Sequence, residues 1–200
     1  MAGYPPPAAL DHLAGAVDRL RLGAAVAAGR NPRLAARPLW HLTLVFLGEV
    51  ADDRAAGAGT ALRAGVAAWQ ATGKPAPRLR LAGGGRFGRR RSTVLWVGLA
   101  GDLDGLSSLG RAVRRELRRA RFPVDRKPFR PHLTLARPGD RLTGEELAAD
   151  VSALGGYEGP EWTMMAVQLV HSTLGPKPAH QTVATVLLSS DRPPNPGSAG

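Results

Sequence analysis

Hydrophobic and polar positions along this chain keep two different rhythms. From residue 8 to 29, "AALDHLAGAVDRLRLGAAVAAG" sets Leu10, Leu13, Val17 and Leu20 at helical spacing and closes on Gly29, which predicts one helix. A second, alanine-rich helix is expected from a cap at Asp52 or Asp53 to about Gln70. A third, "DLDGLSSLGRAVRRELRRARF", puts Leu103, Leu106, Leu109, Val113 and Leu117 on one face and its arginines on the other, where most are merely solvated. "TGEELAADVSAL" predicts a fourth helix, opened by Thr143 and Glu146 in capping-box spacing.

Between these the rhythm shortens. Strands are expected at 40–47, 78–82, 93–99, 132–136, 162–170 and 181–188. Helices and strands are interspersed without a regular βαβ series, which makes the fold class α+β. "GKPAP" and "GGGRFGRRR" read as loops, and Gly83 to Gly85 as a flexible turn, because no G-K-[ST] follows them. The last stretch, 190–200, is rich in Pro, Gly and Ser and is expected to be disordered.

Composition narrows the chemistry. The chain has no cysteine, which excludes disulfides, thiolate metal sites and a cysteine nucleophile. No apolar run approaches the roughly 20 residues that span a bilayer, and "MAGYPPPAAL" is not a secretory leader. A cytoplasmic protein is the expectation. The net charge of +11 comes mostly from arginine, and part of it reflects composition alone. Its clustering is more telling. "RFGRRR" (86–91) and "RRELRRARFPVDRKPFR" (114–130) concentrate positive field, which favours a nucleic acid or nucleotide as partner.

Two stretches carry the candidate chemistry. "PLWHLTLVFL" (38–47) and "PFRPHLTLAR" (128–137) repeat the tetrapeptide H-L-T-L in a chain with five histidines. On an extended strand His41 and Thr43 project to one side while Leu42 and Leu44 anchor the other; His132 and Thr134 repeat this over Leu133 and Leu135. Two lobes related by a pseudo-two-fold would bring both pairs to one cleft. One imidazole accepts a proton while its protonated partner donates one, as in-line attack on phosphorus requires. The threonine hydroxyls suit the non-bridging oxygens. Satisfied polar pairs on a sheet face are the bland alternative. A zinc site lacks both H-E-x-x-H spacing and acidic neighbours.

"WHLTLVFLGEV" and "RPHLTLAR" resemble the two H-x-T-x motifs of the 2H phosphoesterase superfamily. The likeness extends to "GGGRFGRRRSTVLWVGLAG", "LSSLGRAVRRELRRARFPVDRKPFRPHLTLAR" and "VQLVHSTLGPKPAHQTVATVLL", and so over roughly residues 5–189. The wider match is similar to the RNA 2',3'-cyclic phosphodiesterases, formerly called 2'-5' RNA ligases. The resemblance implies metal-independent hydrolysis of an RNA or nucleotide 2',3'-cyclic phosphate to the 2'-phosphate, without cofactor. It implies His41 as the proton donor to the departing 3'-oxygen, His132 as the acceptor that activates water, and Thr43 and Thr134 as phosphate ligands. It also implies two pseudo-symmetric α+β lobes with antiparallel sheets flanked by helices around a central cleft.

Beside that resemblance, Arg130 precedes Pro131 and so favours an extended backbone; it shares the parity of His132 and is a candidate phosphate ligand. Arg137 has the opposite parity and reads as structural or as a surface charge. Phe87, among arginines, is a candidate base contact, with packing against a lobe as the alternative. "HSTL" at 171–174 is a decoy that lacks the first leucine anchor, and His12 and His180 read as surface or packing histidines. Residues 1–7 lack the family's usual first strand, so either the start lies upstream or the sheet is one strand short. Residues 8–189 are expected to form a single bilobal domain, and a monomer is expected. The same chemistry on 2'-5' linked or other cyclic nucleotides, its reversal as ligation, and a non-catalytic RNA-binding module are the alternatives.

Overall fold

The computed structural model describes residues 1–125, 128–173, 175 and 178–188. Eight strands form one hydrogen-bonded series: β1 (Ala2–Gly3), β2 (Leu42–Thr43), β3 (Arg78–Phe87), β4 (Val94–Gly101), β5 (His132–Ala136), β6 (Glu158–Thr163), β7 (Ala166–Thr173) and β8 (Ala179–Leu187). Their spatial order is β6-β3-β4-β5-β2-β1-β7-β8, antiparallel throughout. The expected lobes correspond to its two halves of four strands each.

Among the described residues there are five helices: α1 (Pro7–Asp18), α2 (Arg21–Ala27), α3 (Ala55–Gln70), α4 (Leu103–Arg119) and α5 (Gly144–Gly155). α1 and α5 pack on β3 and α1 on β6, whereas α3 packs on α4, β7 and β8. Between sheet and helices lie Leu42, Leu44, Leu79, Leu81, Leu95, Val97, Leu133 and Leu135, all buried. No helix among the described residues is long and apolar enough to cross a membrane.

Several local expectations change. The helix expected over 8–29 is two, broken at Arg19–Leu20, and the amides that open α2 come from elsewhere. The buried carboxylate of Asp150, on α5, accepts from the Arg21 and Leu22 amides at 2.7 and 3.0 Å. A distant side chain thus supplies the cap that local sequence lacks. Asp52 and Asp53 do not cap α3; they sit in the 3-10 turn before it. The Thr143–Glu146 capping box is present.

The strand expected over 162–170 is also two. β6 pairs with β3 and β7 with β1 and β8, so these neighbours in sequence lie in opposite halves of the sheet. The buried Met164 joins them, its amide held by the Pro77 carbonyl at 2.9 Å. Gly83 to Gly85 are not a loop: β3 runs through them with a bulge between Leu81 and Gly84. Gly83 takes φ +64°, and a Cβ on Gly85 would lie 2.6 Å from the Trp96 ring, so close approach explains the glycines. The sheet is not one strand short either, because Ala2 and Gly3 pair with Thr43 and Leu42. Residues 190–200, expected to be disordered, lie outside the described residues.

Candidate active site

The two H-L-T-L segments meet in the middle of the sheet. β2 and β5 pair antiparallel with Leu42 opposite Leu133. Continued one residue each way, this register sets His41 across from Thr134 and Thr43 across from His132. The leucines are buried beneath; alternation sets the histidines and threonines on the opposite face, with His41, His132 and Thr134 half-buried and Thr43 exposed. On β5 that face continues to β4, where Thr134 pairs with Trp96 and His132 with Gly98.

Each imidazole is held the same way. The Nδ1 of His41 lies 2.6 Å from the Leu39 carbonyl, and the Nδ1 of His132 lies 2.7 Å from the Arg130 carbonyl, in both cases two residues back along the chain. A carbonyl only accepts, so each Nδ1 carries the hydrogen and donates it. Each Nε2 is left for the site. The His41 Nε2 meets the Thr43 hydroxyl at 3.0 Å. Thr134 is half-buried, and its hydroxyl makes no hydrogen bond among the described residues.

The walls around the two rings differ. His132 packs edge-on to Phe87 at 4.9 Å, and Phe87 stacks on Trp96 at 5.0 Å. His41 meets His180 edge-on at 4.7 Å and Tyr4 at 5.9 Å, and the Tyr4 hydroxyl lies 2.9 Å from the His180 Nδ1. Burial holds His41 below the usual imidazole range, and the neighbouring His180 and His132 add to this; the bond to the Leu39 carbonyl opposes it. Burial lowers His180 as well.

The other expected residues fall as follows. Phe87 is on β3, against His132. The Arg130 side chain is exposed, while its carbonyl orients His132. Arg137 is exposed, with its amide bonded to the Arg33 carbonyl. His171 is exposed, and His12 bonds the Tyr157 hydroxyl far from the motifs. His180, read as a surface or packing residue, packs against the His41 and Tyr4 rings, which places it at the first motif. Only the pairing of β8 with β7 and of β7 with β1 brings it beside His41.

Arg114 is a second residue that sequence pattern passed over as solvated. It reaches from α4 to the Leu44 carbonyl at 3.1 Å, and its guanidinium lies 5.3 Å from the Phe129 ring. One side chain thereby touches the end of the first motif and the approach to the second. A groove of about 440 Å³ lined by Val17, Val26, Leu34 and Trp40 lies elsewhere, and no histidine lines it. Among the described residues no three His, Asp or Glu side chains gather as a metal would need.

Comparison with known proteins shows the family. The family described as the 2'-5' RNA ligase superfamily matches over residues 6–176. The chain belongs to that superfamily. An RNA 2',3'-cyclic phosphodiesterase of Aeropyrum pernix is 30% identical over 153 residues, 76% of this chain and 83% of that protein. One of Geobacillus stearothermophilus is 40% identical over 100 residues, 49% of this chain, but the match spans only 30% of that longer relative. Crystal structures of Escherichia coli LigT complexed with NADP+ and with 3'-AMP give TM-scores of 0.66 and 0.65. They are 21% and 20% identical and cover 94% of this chain and 95% of theirs, a likeness of fold.

Proposed function

We propose that this member of the superfamily hydrolyses 2',3'-cyclic phosphates on RNA ends or nucleotides to the 2'-phosphate. His41 gives the proton from its Nε2 to the departing 3'-oxygen, and the His132 Nε2 takes one from the attacking water. Thr43, Thr134 and Arg130 hold the non-bridging oxygens as charge builds on them, and Phe87 lies against the base. The atoms balance: water adds OH to phosphorus, the P–O3' bond breaks, and each histidine ends in its partner's starting protonation state.

The observation that carries the reading is the matched tethering of the two imidazoles. Each Nδ1–H is spent on a carbonyl two residues back, on strands related by the Leu42–Leu133 pair, so two Nε2 atoms are offered to one face. A phosphate-binding module has no need of two titrating groups so held. The lowered pKa of His41 suits an acid only once substrate arrives, because the phosphate anion favours the imidazolium. The names of the Aeropyrum and Geobacillus relatives support the same substrate class. A monomeric, cytoplasmic protein with one bilobal domain that includes β1 goes with this reading.

The test is a short RNA ending in a 2',3'-cyclic phosphate, with EDTA present and products followed by chromatography. Wild type and His171→Ala should yield the 2'-phosphate, while His41→Ala and His132→Ala should not. Folded wild type that binds the RNA but leaves the cyclic phosphate intact would overturn the proposal.

A further inference from the structure

The two H-L-T-L strands are related by a local two-fold, and so is the tethering of their histidines. The surroundings of the two rings are not. His132 is flanked by Phe87 at 4.9 Å and Trp96 at 6.2 Å, and the Trp96 Nε1 is buried, so that wall presents ring carbon. Beside His41 stand His180 at 4.7 Å and Tyr4 at 5.9 Å, both half-buried. They come from opposite ends of the chain: Tyr4 follows β1, and His180 lies at the start of β8.

The pair beside His41 is set as a donor. The Tyr4 hydroxyl lies 2.9 Å from the His180 Nδ1. Burial holds the His180 imidazole below its ordinary range, so near neutral pH the ring is uncharged and its Nδ1 accepts the phenol hydrogen. The ring's own hydrogen is then on Nε2, which has no hydrogen-bond partner among the described residues. One wall of the site therefore offers ring carbon, and the other an unused N–H.

The asymmetry matters because a 2',3'-cyclic phosphate is itself nearly symmetric at phosphorus. O2' and O3' are both esterified to it, and in-line attack expels whichever lies opposite the water, beside the acid. The two-fold of the motifs would accept the ribose either way round and give both phosphate isomers. The base hangs from C1', next to C2', whereas C3' adjoins C4' and the 5'-oxygen beyond it. A base against Phe87 and Trp96 turns O2' toward His132 and O3' toward His41, and leaves the C4' edge of the ribose facing Tyr4 and His180. We propose that His180, fixed by Tyr4, donates its Nε2–H to the ribose oxygens of that edge and so decides that O3' rather than O2' leaves. The inference deepens the cyclic-phosphate reading of the site and rests on it.

The experiment separates by chromatography the 2'- and 3'-monophosphates formed from adenosine 2',3'-cyclic phosphate. The proteins are wild type, His180→Ala, His180→Gln, Tyr4→Phe and a control, His12→Ala, which removes the His12–Tyr157 bond far from the motifs. Each is checked by thermal melting. Wild type should give the 2'-phosphate. His180→Ala should raise the 3'-phosphate share about 10-fold, the effect of one lost hydrogen bond. Tyr4→Phe should raise it less, and His180→Gln, which keeps an N–H at similar reach, should restore the wild-type ratio. His12→Ala should match wild type. The 3'-phosphate as a major wild-type product overturns the proposal. So does an unchanged ratio in His180→Ala, even with slower turnover, or in Tyr4→Phe should His180→Ala not fold. Should wild type leave the cyclic phosphate intact, the catalytic reading fails by itself. Calorimetric binding of 2'-AMP and 3'-AMP then decides the role of His180 separately. Wild type should prefer 2'-AMP and His180→Ala should not; no preference in wild type, or the same preference in both, overturns it.

Discussion

Leu42 and Leu133 face each other across the central ladder, and the local two-fold that relates the two H-L-T-L strands passes between them. Both are buried, Leu133 completely, with Leu44 and Leu135 beside them. Shortening Leu133 to Ala removes apolar contact at the point where the halves of the sheet join. Leu133→Ala should cost about 2–5 kcal/mol of unfolding free energy in urea. A variant as stable as wild type would mean that this pair is not what joins the halves.

The titration of His41 gives a second test. Burial holds it below the ordinary 6.5, so its imidazole resonances should show a midpoint under that value in the free protein. Adding inorganic phosphate should move the midpoint upward, because an anion between the rings favours the imidazolium. The stability consequence has a definite sign. The unfolded chain binds more protons between the two midpoints, so the His41 contribution is complete above about pH 6.5. It is lost as pH falls through that value toward the folded midpoint. A midpoint at or above 6.5 in the free protein would contradict the burial that the structure gives this ring.

His180 bears on the same midpoint. Its ring covers one side of His41, and its charge opposes a charge there. His180→Ala opens that side to water and removes the like-charged neighbour, so the His41 midpoint should rise toward the value of free imidazole. Tyr4→Phe leaves the ring contacts but removes the hydroxyl bonded to His180, and should move the His180 midpoint more than that of His41. Two-dimensional NMR of both variants reads both shifts at once. Unmoved midpoints in both would deny His180 a part in setting the site.

Arg114 offers a test of positioning. Arg114→Met keeps much of the stem that packs under β2 while removing the donor to the Leu44 carbonyl. Left buried without a partner, that carbonyl costs about 1–3 kcal/mol, which should appear as a lower urea midpoint. Turnover should fall as well, with kcat affected more than KM, because both motif strands lose a shared support. Activity in Arg114→Met equal to wild type would reduce Arg114 to packing.

Much of this site was legible from residue order. H-L-T-L on a strand fixes which side chains share a face, because extended backbone alternates them, and this holds wherever the strand lies. The amphipathic faces of α4 and α5 and the Thr143–Glu146 cap were readable for the same reason: their signals are local. Other features were not local. The break between α1 and α2 depends on Asp150 from another helix. The split at Met164 sends two adjacent strands to opposite halves, although the sequence between them carries no Gly or Pro.

Sequence alone determined the pair of His-Thr motifs, the buried leucines behind them and the absence of thiol chemistry. Tertiary structure decided that Leu42 meets Leu133, that each histidine spends its Nδ1 hydrogen on a carbonyl, and that His180 rather than His171 stands beside His41. The physical reason is the range of the forces. Alternation and helical periodicity act over a few residues. Strand pairing joins residues far apart in sequence, and a ring that gains its neighbours only through that pairing leaves no trace in its own stretch of chain.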